Sequence, residues 1–287
     1  MSAFKIITDS CADLCPEMIA ALDVSSIPLT VMFRGENRND CVDDSIKEVY
    51  DGLRNGEVAT TAAANPTGWA SVMEPALQAG QDVLVLAFSS GLSTTYQSAV
   101  IAAADLADKY PQRKILVVDT LCASLGQGLL VWYACKKRDE GMTLEQLYNW
   151  IEENKLHVCH WFTVDDLMYL KRGGRVSAAT ALVGTMLQIK PVLHVDDEGH
   201  LINVAKARGR KASIDAMAKK VGELGGDFDN STCFISHGDC LEDAQYLDQV
   251  LKEKYGVKEV IIGYVGAVIG SHAGPGVLAL FFMSDHR

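Results

Sequence analysis

The run Ser89-Ser90-Gly91-Leu92-Ser93-Thr94-Thr95-Tyr96-Gln97 follows the most apolar strand-like segment of the chain and opens a helical one. The end of a strand feeding the start of a helix is where α/β sheets bind ligands. Free amides there favour an anion, and Ser or Thr side chains add donors. The run also reads as ordinary capping, since Ser93 and Thr94 both suit an N-cap. One hydroxyl is enough for a cap, and here there are five within seven residues. A second hydroxyl-bearing segment, Thr60-Thr61-Ala62-Ala63-Ala64-Asn65-Pro66-Thr67, also precedes a helix. Asn65 as N-cap with Pro66 at the first helical position accounts for its end and leaves Thr61 unexplained.

The third segment runs from Gly263 to Gly276, where four small-residue breaks surround His272 between two apolar strand runs. A histidine can donate to a carboxylate, shuttle a proton or bind metal. No second histidine stands at ligand spacing, and His237, in Ser236-His237-Gly238-Asp239, reads as structural. Lys171-Arg172-Gly173-Gly174-Arg175 ends a short helix, where the glycines supply positive φ and basic side chains suit the helix dipole. With Lys190, Lys206, Arg208, Arg210 and Lys211 it forms a basic concentration in an acidic chain. Such a cluster fits a phosphate or an acidic partner, or simply the solvated face of a hairpin.

No catalytic constellation assembles from this inventory. The sequence has no P-loop, nucleophile elbow, metal-ligand motif or Rossmann fingerprint. Eight cysteines are scattered without a CxxC pair, so they read as reduced, mostly buried fillers rather than disulfides or zinc ligands. Serines, a histidine and Asp9 are the ingredients of a triad, but nothing in their spacing brings them together.

The elements that must position these residues alternate. Phe4–Thr8, Ile27–Phe33, Val83–Phe88 and Ile115–Val118 read as strands, the last two as continuous apolar runs covered on both faces. Helical segments over 44–53, 67–78 and 95–109 separate them, the pattern of an open, mostly parallel α/β sheet. After a helix over 143–154 the character changes. A strand over 158–164 is followed by a hairpin around the acidic turn Asp196-Asp197-Glu198-Gly199, then by helices over 211–224 and 242–255 mixed with late strands. The reading is two domains, an N-terminal α/β unit over 1–155 and a C-terminal α+β unit over 156–287.

A net charge of −11 argues against a nucleic acid surface, which needs clustered Lys and Arg. No apolar run approaches the length of a membrane span, so stable membrane insertion is not expected. Met1-Ser2-Ala3-Phe4-Lys5 leads directly into a strand without the features of a signal peptide, and a cytoplasmic location is expected.

Several segments, in order and across essentially the whole chain, resemble the DegV family. They are Ile7-Thr8-Asp9-Ser10, Ser89-Ser90-Gly91-Leu92-Ser93 through Ala99, Leu167 through Val176, Leu187-Gln188-Ile189-Lys190-Pro191-Val192-Leu193, Ala207-Arg208 through Ala212, and Gly270-Ser271-His272 through Gly276. The resemblance implies a two-domain bacterial protein holding a long-chain fatty acid between its domains, with no cofactor and no catalytic residue of its own. It implies a partner, a fatty acid kinase that phosphorylates the presented carboxylate to an acyl phosphate for phospholipid synthesis. Thr61, Ser93 and His272 correspond to the family's carboxylate-binding residues. Arg175 and Arg208 correspond to the arginines suited to engage the kinase or the transferred phosphate. The chain departs from the family pattern at Ala62, Thr94 and Ala273, where hydroxyl, Gly and Thr are usual. Two alternatives stay open: a serine/histidine-type hydrolase of acyl or phosphate esters, and a lipid carrier or sensor with no kinase partner.

Overall fold

The computed structural model describes residues 4–40, 45–176, 189–226, 228 and 230–287. Four strands form a wholly parallel sheet in the order β2-β1-β6-β7. They are β1 (Phe4–Asp9), β2 (Val24–Ile27), β6 (Asp82–Ala87) and β7 (Ile115–Asp119). The two-residue side-chain period of a strand divides β6 cleanly. Leu84 and Leu86 join the buried cluster beneath α5 (Leu125–Asp139) and α6 (Leu144–Asn154), while Val83, Val85 and Ala87 join the one beneath α3 (Pro66–Gln78) and α4 (Thr95–Lys109). With both faces covered, every position from Val83 to Ala87 is fully buried, which is why the run carries no polar alternation.

The larger sheet has six strands in the order β10-β9-β8-β13-β11-β12. They are β8 (Val158–Thr163), β9 (Ile189–Val195), β10 (Leu201–Arg208), β11 (Thr232–His237), β12 (Glu259–Tyr264) and β13 (Leu278–Met283). All pair antiparallel except β11 with β12. Helices α8 (Arg210–Leu224) and α9 (Leu241–Tyr255) bury one face through Met217, Ala218, Leu247 and Leu251. The other face turns toward the parallel sheet, and α5 packs between them, in one cluster with Phe162, Phe234 and Phe281. The α/β plus α+β organisation expected from the sequence is thus the observed one.

Two local expectations are corrected. Ile27–Phe33 is not one strand. The chain leaves the parallel sheet at Ile27, and after Pro28-Leu29 enters a separate antiparallel sheet as β3 (Thr30–Phe33) between β4 (Glu36–Asn39) and β5 (Thr60–Ala62). Pro28 has no amide hydrogen to continue a ladder. The second correction is that the glycine-rich stretch around His272 contains a helix, α10 (Ala267–Ala273), between β12 and β13. Two further helices, α2 (Ile46–Arg54) and α7 (Met168–Arg172), pack against α10. Leu187 and Gln188 lie outside the described residues, as does Cys41.

Candidate functional site

Helix α10 is seven residues long and contains glycine, so its propensity is poor. Tertiary contacts hold it instead. The Asp13 carboxylate accepts from Gly266 N (2.9 Å), and Asp40 accepts from Val268 N (3.1 Å) and from the Ser10 hydroxyl (2.8 Å). On the opposite side Gly270 rests against Tyr50 with no room for a Cβ, and the Tyr50 hydroxyl donates to Val265 O (2.8 Å). Residues one helical turn apart share a face. Val268, Ile269, His272 and Ala273 therefore line one cavity together.

That cavity has a volume of about 450 Å³, within the range of roughly 300–1,000 Å³ typical of sites that enclose a small ligand. Most of its wall is apolar, with Leu29, Phe88, Phe162, Leu170, Leu201 and Phe281 among the contributors. Phe162, Leu201 and Phe281 come from the six-stranded sheet, Leu170 from α7, and Leu29 and Phe88 from the connections that follow β2 and β6. Two patches are polar, and the first centres on Thr61 and His272. Thr61 Oγ1 and His272 Nε2 are 2.8 Å apart, joining β5 to α10. Ser90, Ser93, Thr94 and Gln97 enter from the loop after β6 and the first turn of α4. The Ser93 hydroxyl pairs with Thr95 Oγ1 (2.8 Å) and accepts from Thr95 N (3.2 Å), so it caps the helix while facing the cavity. Thr94, at the N-cap position, makes no side-chain cap bond.

Arg175 folds back from the end of α7. Its Nε donates to Leu92 O (3.2 Å), and its guanidinium also bonds Gly173 O. It lines this cavity and an adjoining one of about 380 Å³, which shares Thr61 and His272 and is bordered by Arg172, Tyr169 and Ser271. No Asp or Glu is among the described residues lining the main cavity. Burial, with a smaller contribution from Arg175, pushes the His272 imidazole down to about 4, so the ring is neutral at neutral pH. The polar region therefore offers one fixed cation, neutral donors and no competing anion.

The structure brings Thr61, Ser93, His272 and Arg175 to one cavity. It does not bring Arg208 there. Arg208 ends β10 opposite Ile189 on an exposed edge and lines neither cavity. Of the other basic residues, Lys190 and Arg210 are taken up by Asp165, and Arg210 also by Asp243. The two glycines before Arg175 act differently. Gly174 has the expected positive φ (+70°), whereas Gly173 is helical (φ −69°) and matters because a Cβ there would strike His272 Nδ1.

The triad ingredients stay apart. Asp9 is committed to Phe88 N (2.7 Å) and Cys11 N (3.0 Å), and burial raises its carboxyl to about 7. His272 pairs with Thr61, and Ser93 with Thr95. His237 is buried against Tyr264 and accepts from Cys240 N (3.3 Å), a structural role. Among the described residues no three His, Cys, Asp or Glu side chains are grouped to hold a metal, and no helix is long and apolar enough to cross a membrane.

Three lining residues escaped the sequence reading: Ser124, His160 and Ser236. Ser124 carried no signal. His160 sits in an apolar run, and Ser236 was overshadowed by its neighbour His237.

A family model described as "Uncharacterised protein, DegV family" matches residues 3–285. A DegV domain-containing protein of Clostridium perfringens is 44% identical over 289 residues, covering 100% of this chain and 99% of that protein. A DegV family protein from Thermus thermophilus, described by its fatty acid binding, is 32% identical with a TM-score of 0.88, covering 99% of this chain and 100% of that one. A DegV lipid-binding protein from Thermotoga maritima is 31% identical with a TM-score of 0.87, and each chain is covered completely. This chain belongs to the DegV family.

Proposed function

We propose that this protein binds one long-chain fatty acid non-covalently and presents its carboxylate to a separate fatty acid kinase. The tail lies in the 450 Å³ cavity between the unit of residues 1–155 and that of residues 156–287. The observation that carries the reading is a largely apolar cavity whose polar region around Thr61, Ser93 and His272 holds one cation and no carboxylate. The fatty acid binding described for the Thermus thermophilus relative supports it.

Burying the tail supplies about 0.8 kcal/mol per methylene before the losses of association, so few polar contacts are needed for tight binding. A desolvated carboxylate still requires donors. In the neutral tautomer that carries its proton on Nε2, His272 donates to Thr61 Oγ1, which frees the Thr61 hydroxyl hydrogen for the ligand. Ser93 adds a second hydroxyl, and Arg175 supplies the charge. The adjoining cavity on the far side of Thr61 and His272 gives the phosphoryl donor an approach. In the transfer, a carboxylate oxygen bonds to the γ-phosphorus of ATP as the bond to ADP breaks, and positioning and charge do most of the work. Arg208, exposed and outside the cavity, is assigned to the kinase contact. The protein itself acts as carrier, in keeping with the separate commitments of Ser93 and His272.

The test is a titration of the full-length protein with a fatty acid and with its methyl ester. The acid is expected to bind at least about tenfold more tightly, with the gap closing in a Thr61→Val, His272→Ala double variant. Equal affinity for acid and ester in the unaltered protein contradicts the head-group assignment. Adding ATP, a fatty acid kinase of the source organism and hydroxylamine should yield acyl hydroxamate, reduced by Arg208→Ala with binding unchanged. No hydroxamate with any such kinase leaves a carrier without a kinase.

A further inference from the structure

The cavity has a second polar surface that the carboxylate site does not use. Ser124, Ser236 and His160 line it with side chains 5%, 0% and 1% exposed. They converge from the start of α5, from β11 and from β8. The Ser124 hydroxyl bonds Asp13 Oδ2, and Ser124 Oγ lies 2.8 Å from Ser236 Oγ. Asp13 is the same carboxylate that receives Gly266 N at the start of α10. Gly266 and His272 are six residues apart, about 9 Å along a helix rising roughly 1.5 Å per residue. A chain anchored at His272 therefore meets the serine pair partway along its tail.

His160 has nothing left to offer. Its Nδ1 faces Val158 O (2.9 Å) and must carry the proton, and Nε2 then accepts from Ala123 N (3.2 Å). The serines differ. When Asp13 is ionised, Ser124 donates to it and Ser236 donates to Ser124. The Ser236 oxygen is then left with unused lone pairs. When Asp13 is protonated the order reverses, and the Ser236 hydrogen points outward without an acceptor. Burial holds Asp13 well above the usual carboxylate range, which brings the second state within reach. Among the described residues no other partner reaches the Ser236 hydroxyl. In both states one hydrogen-bonding capacity is unmet against an otherwise apolar space.

A methylene passing this point satisfies neither state. A hydroxyl satisfies both, since it donates and accepts. Resting on the fatty acid reading above, we propose that the cavity prefers acyl chains bearing a hydroxyl group along the tail, paired with Ser236, over the unsubstituted chains of the same length.

The experiment is native mass spectrometry of the full chain, with octadecanoic acid competing against a series of monohydroxyoctadecanoic acids that differ in hydroxyl position. One position is expected to outcompete the plain acid by on the order of tenfold, about the worth of one buried hydrogen bond, with its neighbours weaker. In Ser236→Ala the favoured isomer and the plain acid should bind alike. No favoured position in the unaltered protein overturns the proposal, and that comparison does not depend on the variant folding. An advantage that persists in Ser236→Ala overturns it as well. Failure of every acid to bind is a different result, which overturns the fatty acid reading itself and this inference with it.

Discussion

At the scale of single residues, the site depends on a few short contacts. Replacing Thr61 with Val removes a donor from a desolvated carboxylate, and replacing His272 with Ala removes the ring that orients that donor; each should weaken fatty acid binding roughly tenfold to hundredfold by calorimetry. Gly173→Ala should weaken binding too, because its Cβ falls on His272 Nδ1. Its backbone is ordinary helix, so any fall in melting temperature should be small beside the loss of binding. A loss of stability that matches the loss of binding would contradict this. Asp9 is a separate case. Its folded value near 7 lies above the ordinary 3.8, so the folded state holds the proton more tightly. Its contribution is present below the ordinary value and lost as pH rises through the folded one. Between about pH 4 and pH 8 the unaltered protein should lose stability relative to Asp9→Asn, and a gap independent of pH would contradict the assignment. The sequence exposed the hydroxyl runs and the lone histidine as chemistry, and the family resemblance selected Thr61, Ser93 and His272 from them. Ser124 and Ser236 were not legible, since they meet only through folding, 112 positions apart.

At the scale of elements, legibility followed how much each element owes to its own residues. The β6 run and the β9–β10 hairpin carry their pattern locally, one as a doubly covered strand and the other around the acidic turn that ends in Gly199. Helix α10 does not. Gly270 lowers its propensity, and Asp13 and Asp40, more than two hundred positions away, hold its start. Asp40→Ala should therefore destabilise the protein by about 1.5–3 kcal/mol, the worth of hydrogen bonds to a charged group. It should also raise hydrogen exchange in 267–273 more than in β6. Uniform exchange increases across the chain would argue against a local clamp. Strand β3 was misread for a related reason: the apolar run through Pro28 continues in sequence while the chain changes sheets.

At the scale of the whole molecule, the cavity forms where the connections that follow the parallel strands meet the mixed sheet, α7 and α10. The alternation of apolar runs and amphipathic helices, followed by antiparallel strands, made both sheets readable. The space between them was not, because cavity volume depends on which residues of distant strands fail to touch. A ligand filling that space couples the two halves. Fatty acid at a free concentration of 100 times its dissociation constant should stabilise the fold by about 2.7 kcal/mol, seen as a rise in melting temperature. The most direct measurement of the central claim is mass spectrometry of the purified full-length protein, native and then after denaturing extraction. The account predicts a non-covalent fatty acid at close to one per chain, released on denaturation. A protein that is empty, and that takes up no added fatty acid, would contradict it.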